Sequence, residues 1–298
     1  MSAGRPPISM QDARAVAGLL DEAAGVMRTH PTRRGSSVRL GRAGRIVLTG
    51  DMHDNPVHFE VTRQLARLDE SPDHHLVLHE LIHGDRLVSG VDLSYRILCK
   101  AAGLVLDHPG QVHIVLANHE LAQAFRHPVT KGAGDNLELF DLGLDWAFGD
   151  DAAEVEEAIG RFVRALPLAV RCANGLMLSH SLPSPLDLPG FDLGVLDRPL
   201  VDADYQLWKG AAWQMVWGRG WDRTVLTTLA EAWGVRTFVL GHAYVETGAE
   251  AQAANLLALN SDHDAGRVVT VDLAEDCPDA FTLLSRCVPL SAYAGSGG

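Results

Sequence analysis

Asp51 with His53, Glu80, Asn118 with His119, His180 and His242 offer carboxylate, amide and imidazole donors at five separate places in the chain. None of these donors is a thiolate. Oxygen and imidazole ligands without sulfur suit manganese, iron or zinc in an open catalytic site better than a closed structural zinc. The Asp-x-His spacing of Asp51 and His53 puts two donors on one side of an extended segment. Two divalent ions about 3.5–4 Å apart, sharing one carboxylate, lower the pKa of a water between them and clamp a phosphoryl group in line. Set against Asp51, Glu80 and a bridging hydroxide, two such ions keep a net positive charge, which draws a phosphate monoester into an acidic protein. Taken singly these residues say little, since an Asn before a helix is most often an N-cap. Five of them at one topological position point to a shared site.

That position is the end of a strand. Apolar runs at 46–49, 76–78, 112–116, 176–178 and 235–240 lead directly into the five donor groups. Helical patterns lie between them at 57–68, 91–106, 151–164 and 224–233. Strands alternating with helices predict an α/β fold with a buried, partly parallel sheet. In such sheets ligands bind beyond the carboxyl ends of the strands. Later strands near 256–260, 267–273 and 280–284 lack long helices between them, which predicts a mixed or antiparallel portion and a second sheet. Residues 9–27 carry apolar positions at helical spacing, with Ser9 as the expected N-cap. Arg28, Arg33, Arg34, Arg39, Arg42 and Arg45 follow with no acidic residue between Glu22 and Asp51, and read as a solvated connector or an anion-binding strip. The expected organisation is a helical extension with its Arg-rich connector at 1–40, a catalytic domain at 41–290 and a flexible tail at 291–298.

The chain has 298 residues, of which 47% are hydrophobic, enough for one large core. No apolar run reaches the length of a membrane helix, so no membrane partner is expected. The first thirty residues lack the apolar core of a secretory signal. Lys and Arg total 25 against 38 Asp and Glu, a net charge of −13, which disfavours binding to duplex nucleic acid. Cys99, Cys172, Cys277 and Cys287 show no C-x-x-C spacing and read as free thiols in a reducing cytoplasm. There is no Gly-x-Ser-x-Gly elbow and no Gly-x-Gly-x-x-Gly after a strand, so serine hydrolase and dinucleotide-binding readings fail.

Together these residues resemble the calcineurin-like metallophosphoesterase superfamily, and within it the phosphoprotein phosphatase branch, whose typical members are serine/threonine phosphatases. Gly50-Asp51-Met52-His53 is similar to the first motif of that branch, and Ala117-Asn118-His119-Glu120 to its third, with Ala in place of Gly. His180 stands at the fourth motif, where Ser181 replaces Gly, and Gly241-His242 closes the series without the second histidine that other branches carry. The resemblance implies a four-layer α-β-β-α sandwich with two mixed sheets. It implies two divalent metals, manganese first and iron or zinc next, with Asp51 and His53 on one ion and Asn118, His180 and His242 on the other. It implies His119 as general acid, and Arg86 and Arg219 as phosphate-holding side chains.

The second motif departs most. Strand register puts Glu80 where the branch has a bridging Asp, and Asp85-Arg86 then resembles the later Asp-Arg pair, with Asp85 orienting His119. In a rival register Asp85 itself bridges. His79 and His83 flank the motif as structural residues or as supports for the ligands. The expected reaction is hydrolysis of phosphate monoesters, phosphoproteins among the substrates, by attack of a metal-bound hydroxide. Hydrolysis of nucleotide or dinucleoside polyphosphate anhydrides on the same metals, or metal and phospho-ligand binding without turnover, are the alternatives. The loops at 125–151 and 182–205 would set specificity and give no clear signal.

Overall fold

The computed structural model describes residues 8–127, 130–131 and 134–293. Of the expected tail at 291–298, residues 294–298 lie outside them. The strands form two large mixed sheets. One has seven strands in the order Arg33–Arg34, Ser37–Leu40, Ala169–Cys172, Leu176–Ser179, Thr237–Leu240, Leu256–Leu259, Ala249–Ala253. The other has five, in the order Val288–Pro289, Arg267–Asp272, Arg45–Asp51, His74–His79, Val112–Val115. The three strands that lead into Asp51, Glu80 and Asn118 are parallel neighbours, as are Leu176–Ser179 and Thr237–Leu240, which lead into His180 and His242.

Period-two alternation sorts each strand between two layers. Ile46, Leu48, Val77 and Val115 meet Leu176, Leu178, Val239 and Leu257 in one buried cluster between the sheets. Val47, Leu76, Leu78, Ile114, Met177, Phe238 and Leu240 point the other way, into a second cluster shared with the helices. Helices therefore cover both outer faces, and the expected four-layer sandwich is the architecture found. Phe238, fully buried in the strand before His242, is part of that outer layer. Phe238→Ala is expected to cost about 3–5 kcal/mol, read as a lower urea midpoint at unchanged slope. A cost within about 0.5 kcal/mol, the range of surface exchanges, would contradict this packing.

Several local expectations change. Helix Ala13–Thr29 is capped by Asp12, whose carboxylate accepts from the Ala15 N–H at 3.0 Å, rather than by Ser9. Its apolar stripe, Val16, Leu20, Ala23 and Ala24, is fully buried in the core it shares with helices Tyr95–Asp107 and Ala152–Val163. The segment expected as a solvated connector enters the larger sheet, where Ser37–Leu40 pairs in parallel with Ala169–Cys172. Arg33, Arg34, Arg39, Arg42 and Arg45 bind protein groups rather than forming an open anion strip. Arg33 donates to the carbonyls of Gly35 and Ala165, Arg39 pairs with Asp197, and Arg45 donates to the Leu65 carbonyl. Residues 280–284, expected as a strand, lie in the helix Ala280–Arg286, which Asp279 caps by accepting from the Thr282 N–H at 2.7 Å. Among the described residues no helix is long and apolar enough to cross a membrane.

Candidate metal centre

The two sheets meet where Asp51 forms an isolated bridge with Asn260, at the end of the Arg45–Asp51 strand. Gly50 must lack a side chain there, because a Cβ would overlap the Leu259 carbonyl. Beyond the strand ends the chain turns abruptly. His53, Asp54, Glu80, His83 and His242 all adopt positive φ, between +40° and +62°. Such conformations cost non-glycine residues of order 1–3 kcal/mol each and gather where function over-determines the backbone. The turns are laced together: the N–H groups of Met52 and His53 both donate to the Glu80 carbonyl, at 3.0 and 2.8 Å.

Asn118 is not an N-cap. Ala117 holds that position, and Asn118 opens the helix Asn118–Phe125 with its side chain free to turn to His180 and His242. The Asn118 Oδ1, His180 Nε2 and His242 Nδ1 atoms converge: 2.5 Å from the first to the second, 3.1 Å from the first to the third and 3.1 Å between the two rings. Proton positions can be assigned from the partners. His79 Nε2 lies 2.8 Å from the Thr49 carbonyl and must donate to it. His79 Nδ1 is then an acceptor and takes the Nδ1–H of His180 at 3.2 Å. That leaves His180 Nε2 as a bare lone pair facing the Asn118 carbonyl oxygen. Two acceptors at 2.5 Å with no proton between them repel, and a cation between them reverses the sign.

On the other side, His53 Nδ1 donates to the Ile82 carbonyl at 3.1 Å, which turns its Nε2 towards Glu80 Oε2 at 3.4 Å. Glu80 Oε1 lies 3.6 Å from His180 Nε2 and 3.8 Å from His119 Nε2. One carboxylate thus addresses the His53 group with one oxygen and the His180 group with the other. Asp51, beneath them, accepts the His242 N–H on both oxygens at 3.0 Å. Donor atoms of His53, Glu80 and His119 lie within 4.8 Å of one another, and so do those of Asp51, His79 and His180. In the second group His79 Nδ1 is already taken by His180, so its part is to fix that ring.

Electrostatics keep the donors available. Burial pushes the His180 imidazole well below its ordinary pKa, and the neighbouring His242 and His79 add to this. Burial and then the Arg219 guanidinium bring His242 down to about 3. Neutral rings hold bare nitrogens, the form that binds metal. Burial pushes the Asp51 carboxyl up, but its neighbours, the His242 N–H among them, outweigh it and hold the group below the ordinary carboxylate value.

The other sequence-predicted residues lie around this centre. His119 packs against His53, ring centroids 5.1 Å apart. Arg219 donates to the His242 carbonyl at 3.0 Å, and its loop is held by Ser181, whose hydroxyl donates to the Gly218 carbonyl at 2.6 Å. Arg86 and Asp85 are exposed and line an open groove with His53, Tyr244, Asp262 and His263. The pairing of Asp85 with His119 does not form. After the positive-φ turns at Glu80 and His83 the chain runs outward, and the ring beside His119 is that of His83.

Sequence reasoning gives Glu120 and Asp92 no role, and leaves His79 and His83 as structural residues or supports for the ligands. His79 fixes His180, and Gly241 makes room for it, since a Cβ at 241 would overlap the His79 ring and Asp51 Oδ1. Glu120 Oε1 accepts the N–H groups of Leu81 and Ile82 at 2.6 and 3.3 Å and so holds the Glu80 loop, while burial pushes its carboxyl up to about 7. His83 and Asp92 pair at 3.2 Å. The histidines flanking the second motif and the Glu of Asn-His-Glu were visible signals. Asp92 had none.

No family model matches the chain, and no curated protein does. Solved structures do. A protein serine/threonine phosphatase from Saccharomyces cerevisiae with similarity to human phosphatase PP5 superimposes with a TM-score of 0.66 at 16% identity, over 87% of this chain and 82% of that one. A cold-active protein-tyrosine phosphatase from a psychrophilic Shewanella superimposes with a TM-score of 0.53 at 15% identity, over 84% of this chain and 80% of that one. The chain shares the fold of these phosphatases.

Proposed function

We propose that this protein is a dinuclear metal-dependent phosphoesterase that hydrolyses phosphate monoesters, with phosphorylated proteins among its substrates. The observation that carries the reading is the placement of the Glu80 carboxylate between two sets of potential ligand atoms, His53 on one side and Asn118, His180 and His242 on the other. The fold shared with two phosphatases supports it. Asp51, His53 and Glu80 would hold one ion, and Glu80, Asn118, His180 and His242 the other. Divalent ions there, manganese first among the candidates, activate water as the nucleophile and neutralise the phosphoryl oxygens.

The chain's own groups do the rest. Arg219 beside His242 and Arg86 in the groove with His53 supply guanidinium forks for the phosphate oxygens. His119, next to His53 and Glu80, donates a proton to the leaving oxygen. His79 and Thr49 keep His180 in the tautomer whose Nε2 is bare. His79→Phe is therefore expected to weaken manganese binding about 10–100-fold, the usual cost of losing an outer partner of a ligand, read by titration calorimetry. Unchanged affinity would show that His79 only fills space.

The test of the reaction is turnover by metal-stripped protein before and after adding manganese, on 4-nitrophenyl phosphate and on a nucleotide panel. Manganese-dependent hydrolysis of the aryl phosphate is expected. Activity confined to nucleotides would move the protein to phosphoanhydride hydrolysis. Stoichiometric metal binding without turnover on either would make it a binding protein.

A further inference from the structure

His83 is a polar ring in a place where a leucine would be expected. Its side chain is fully buried between Phe140, whose ring meets it edge-on at 5.2 Å, and His119, whose ring centroid is 5.4 Å away. Its backbone sits at φ +60°, a conformation that a β-carbon disfavours. Three polar contacts hold it there. The Asp92 Oδ2 takes its Nδ1 at 3.2 Å, the Ser94 hydroxyl accepts its backbone N–H at 3.1 Å, and Asp92 Oδ1 accepts the Ser94 N–H at 2.7 Å. Asp92 is itself buried. A buried carboxylate spent on orienting one ring, in a strained backbone, is costly unless the ring has a task.

The tautomer defines the task. With Asp92 as acceptor, His83 carries its proton on Nδ1 and presents a lone pair at Nε2. That Nε2 is buried and has no hydrogen-bond partner among the described residues, an arrangement that costs about 1–3 kcal/mol when nothing is offered to it. The ring next to it is His119, whose Nε2 faces Glu80 and the metal centre.

We propose that His83, held by Asp92, is the positioning residue for His119. Its Nε2 accepts the Nδ1–H of protonated His119 and thereby aims the Nε2–H of His119 at the leaving oxygen. The inference rests on the phosphoesterase reading and assigns to a histidine–carboxylate pair the place expected for Asp85. In the step itself the oxygen of a water that has given up one proton to solvent bonds to phosphorus as the bond between phosphorus and the leaving oxygen breaks; the electron pair of the broken bond stays on the leaving oxygen, and the Nε2 proton of His119 moves to it. His119 is left neutral with its Nδ1–H still on His83, and His83 begins and ends neutral.

A positioning role for the acid has a signature that a packing role lacks: it matters more for a poor leaving group than for a good one. The manganese-loaded protein, His119→Asn, His83→Phe, His83→Gln and Asp92→Asn would be compared on phenyl phosphate and on 4-nitrophenyl phosphate. His83→Phe is expected to lose at least about 10-fold more kcat on phenyl phosphate than on 4-nitrophenyl phosphate, a fraction of the about 10²–10⁴-fold that a general acid contributes. His83→Gln keeps an acceptor and should recover part of the difference. An equal fall on both esters, or no fall, in His83→Gln and Asp92→Asn alike would overturn the inference, and these two variants decide it if His83→Phe does not fold.

The controls separate this from failure of the underlying reading. Unmodified protein without phosphatase activity, or His119→Asn without leaving-group selectivity, sinks the reading and the inference with it. Selectivity in His119→Asn but in none of the His83 and Asp92 variants sinks only the inference. Ring ¹⁵N spectra of the metal-free protein give a readout independent of turnover: His83 should be the Nδ1–H tautomer, and an Nε2–H tautomer would contradict the assignment.

Discussion

Glu80→Gln is expected to leave a folded chain that binds manganese poorly and hydrolyses phosphate monoesters more than about 100-fold more slowly, a loss beyond the range for an outer partner of a ligand. The argument is electrostatic. Glutamine keeps the length and volume of Glu80 but has one acceptor oxygen and an NH₂ group. The two carboxylate oxygens face His53 Nε2 at 3.4 Å and His180 Nε2 at 3.6 Å. An amide can serve only one of those sides, and its N–H groups fill the other with a donor where a cation belongs. It also removes one of the two negative charges at the centre, the other being Asp51. Two equivalents of manganese per chain should fall to one or fewer by calorimetry. Asp85→Asn provides the contrast, since Asp85 is exposed on the groove rim. If Asp85→Asn instead abolished binding and Glu80→Gln did not, the bridging carboxylate would have been assigned to the wrong residue.

His119→Asn should show the opposite division. Metal binding is expected to persist, because the convergent donors Asn118, His180, His242, His53 and Glu80 remain. Turnover on phenyl phosphate should fall by about 10²–10⁴-fold, the usual contribution of a positioned general acid. The fall should be smaller on 4-nitrophenyl phosphate, whose leaving group departs with less help. A variant that lost its metals would place His119 among the ligands, to which its 3.8 Å approach to Glu80 brings it near. A variant with unchanged kcat on both esters would remove His119 from the chemistry.

The strand ends were legible because the apolar runs are short, β-branched and buried, and because donors follow each of them at once. Glu80 was legible from register: it comes one residue after the strand His74–His79, whose last residue, His79, pairs with Asp51. Asp85 was misplaced because nothing in a sequence shows a backbone turning through positive φ at Glu80 and again at His83. Asp92 was invisible for a related reason. It returns to His83 through a hairpin of two-residue strands, Leu87–Val88 and Val91–Asp92, too short to carry a periodic signal.

Helix Asn136–Phe148 was read as loop because its apolar residues lie all round it. Leu137, Phe140 and Leu144 are buried, but Leu142 and Trp146 are exposed, so no single stripe marks a core face. Asp141 on that helix accepts from Gln123 and Arg126. The short apolar segment Ala280–Arg286 shows the same limit from the other side, since periodicity over so few residues does not separate strand from helix.

The most direct test of the two-ion centre is a joint titration of metal-stripped protein with manganese, following hydrolysis of 4-nitrophenyl phosphate and bound metal in the same samples. The account expects activity to rise to a plateau at two equivalents per chain, with an electron-spin resonance signal of coupled ions appearing alongside it. A plateau at one equivalent, or two uncoupled ions with full activity, would contradict a centre bridged by Glu80.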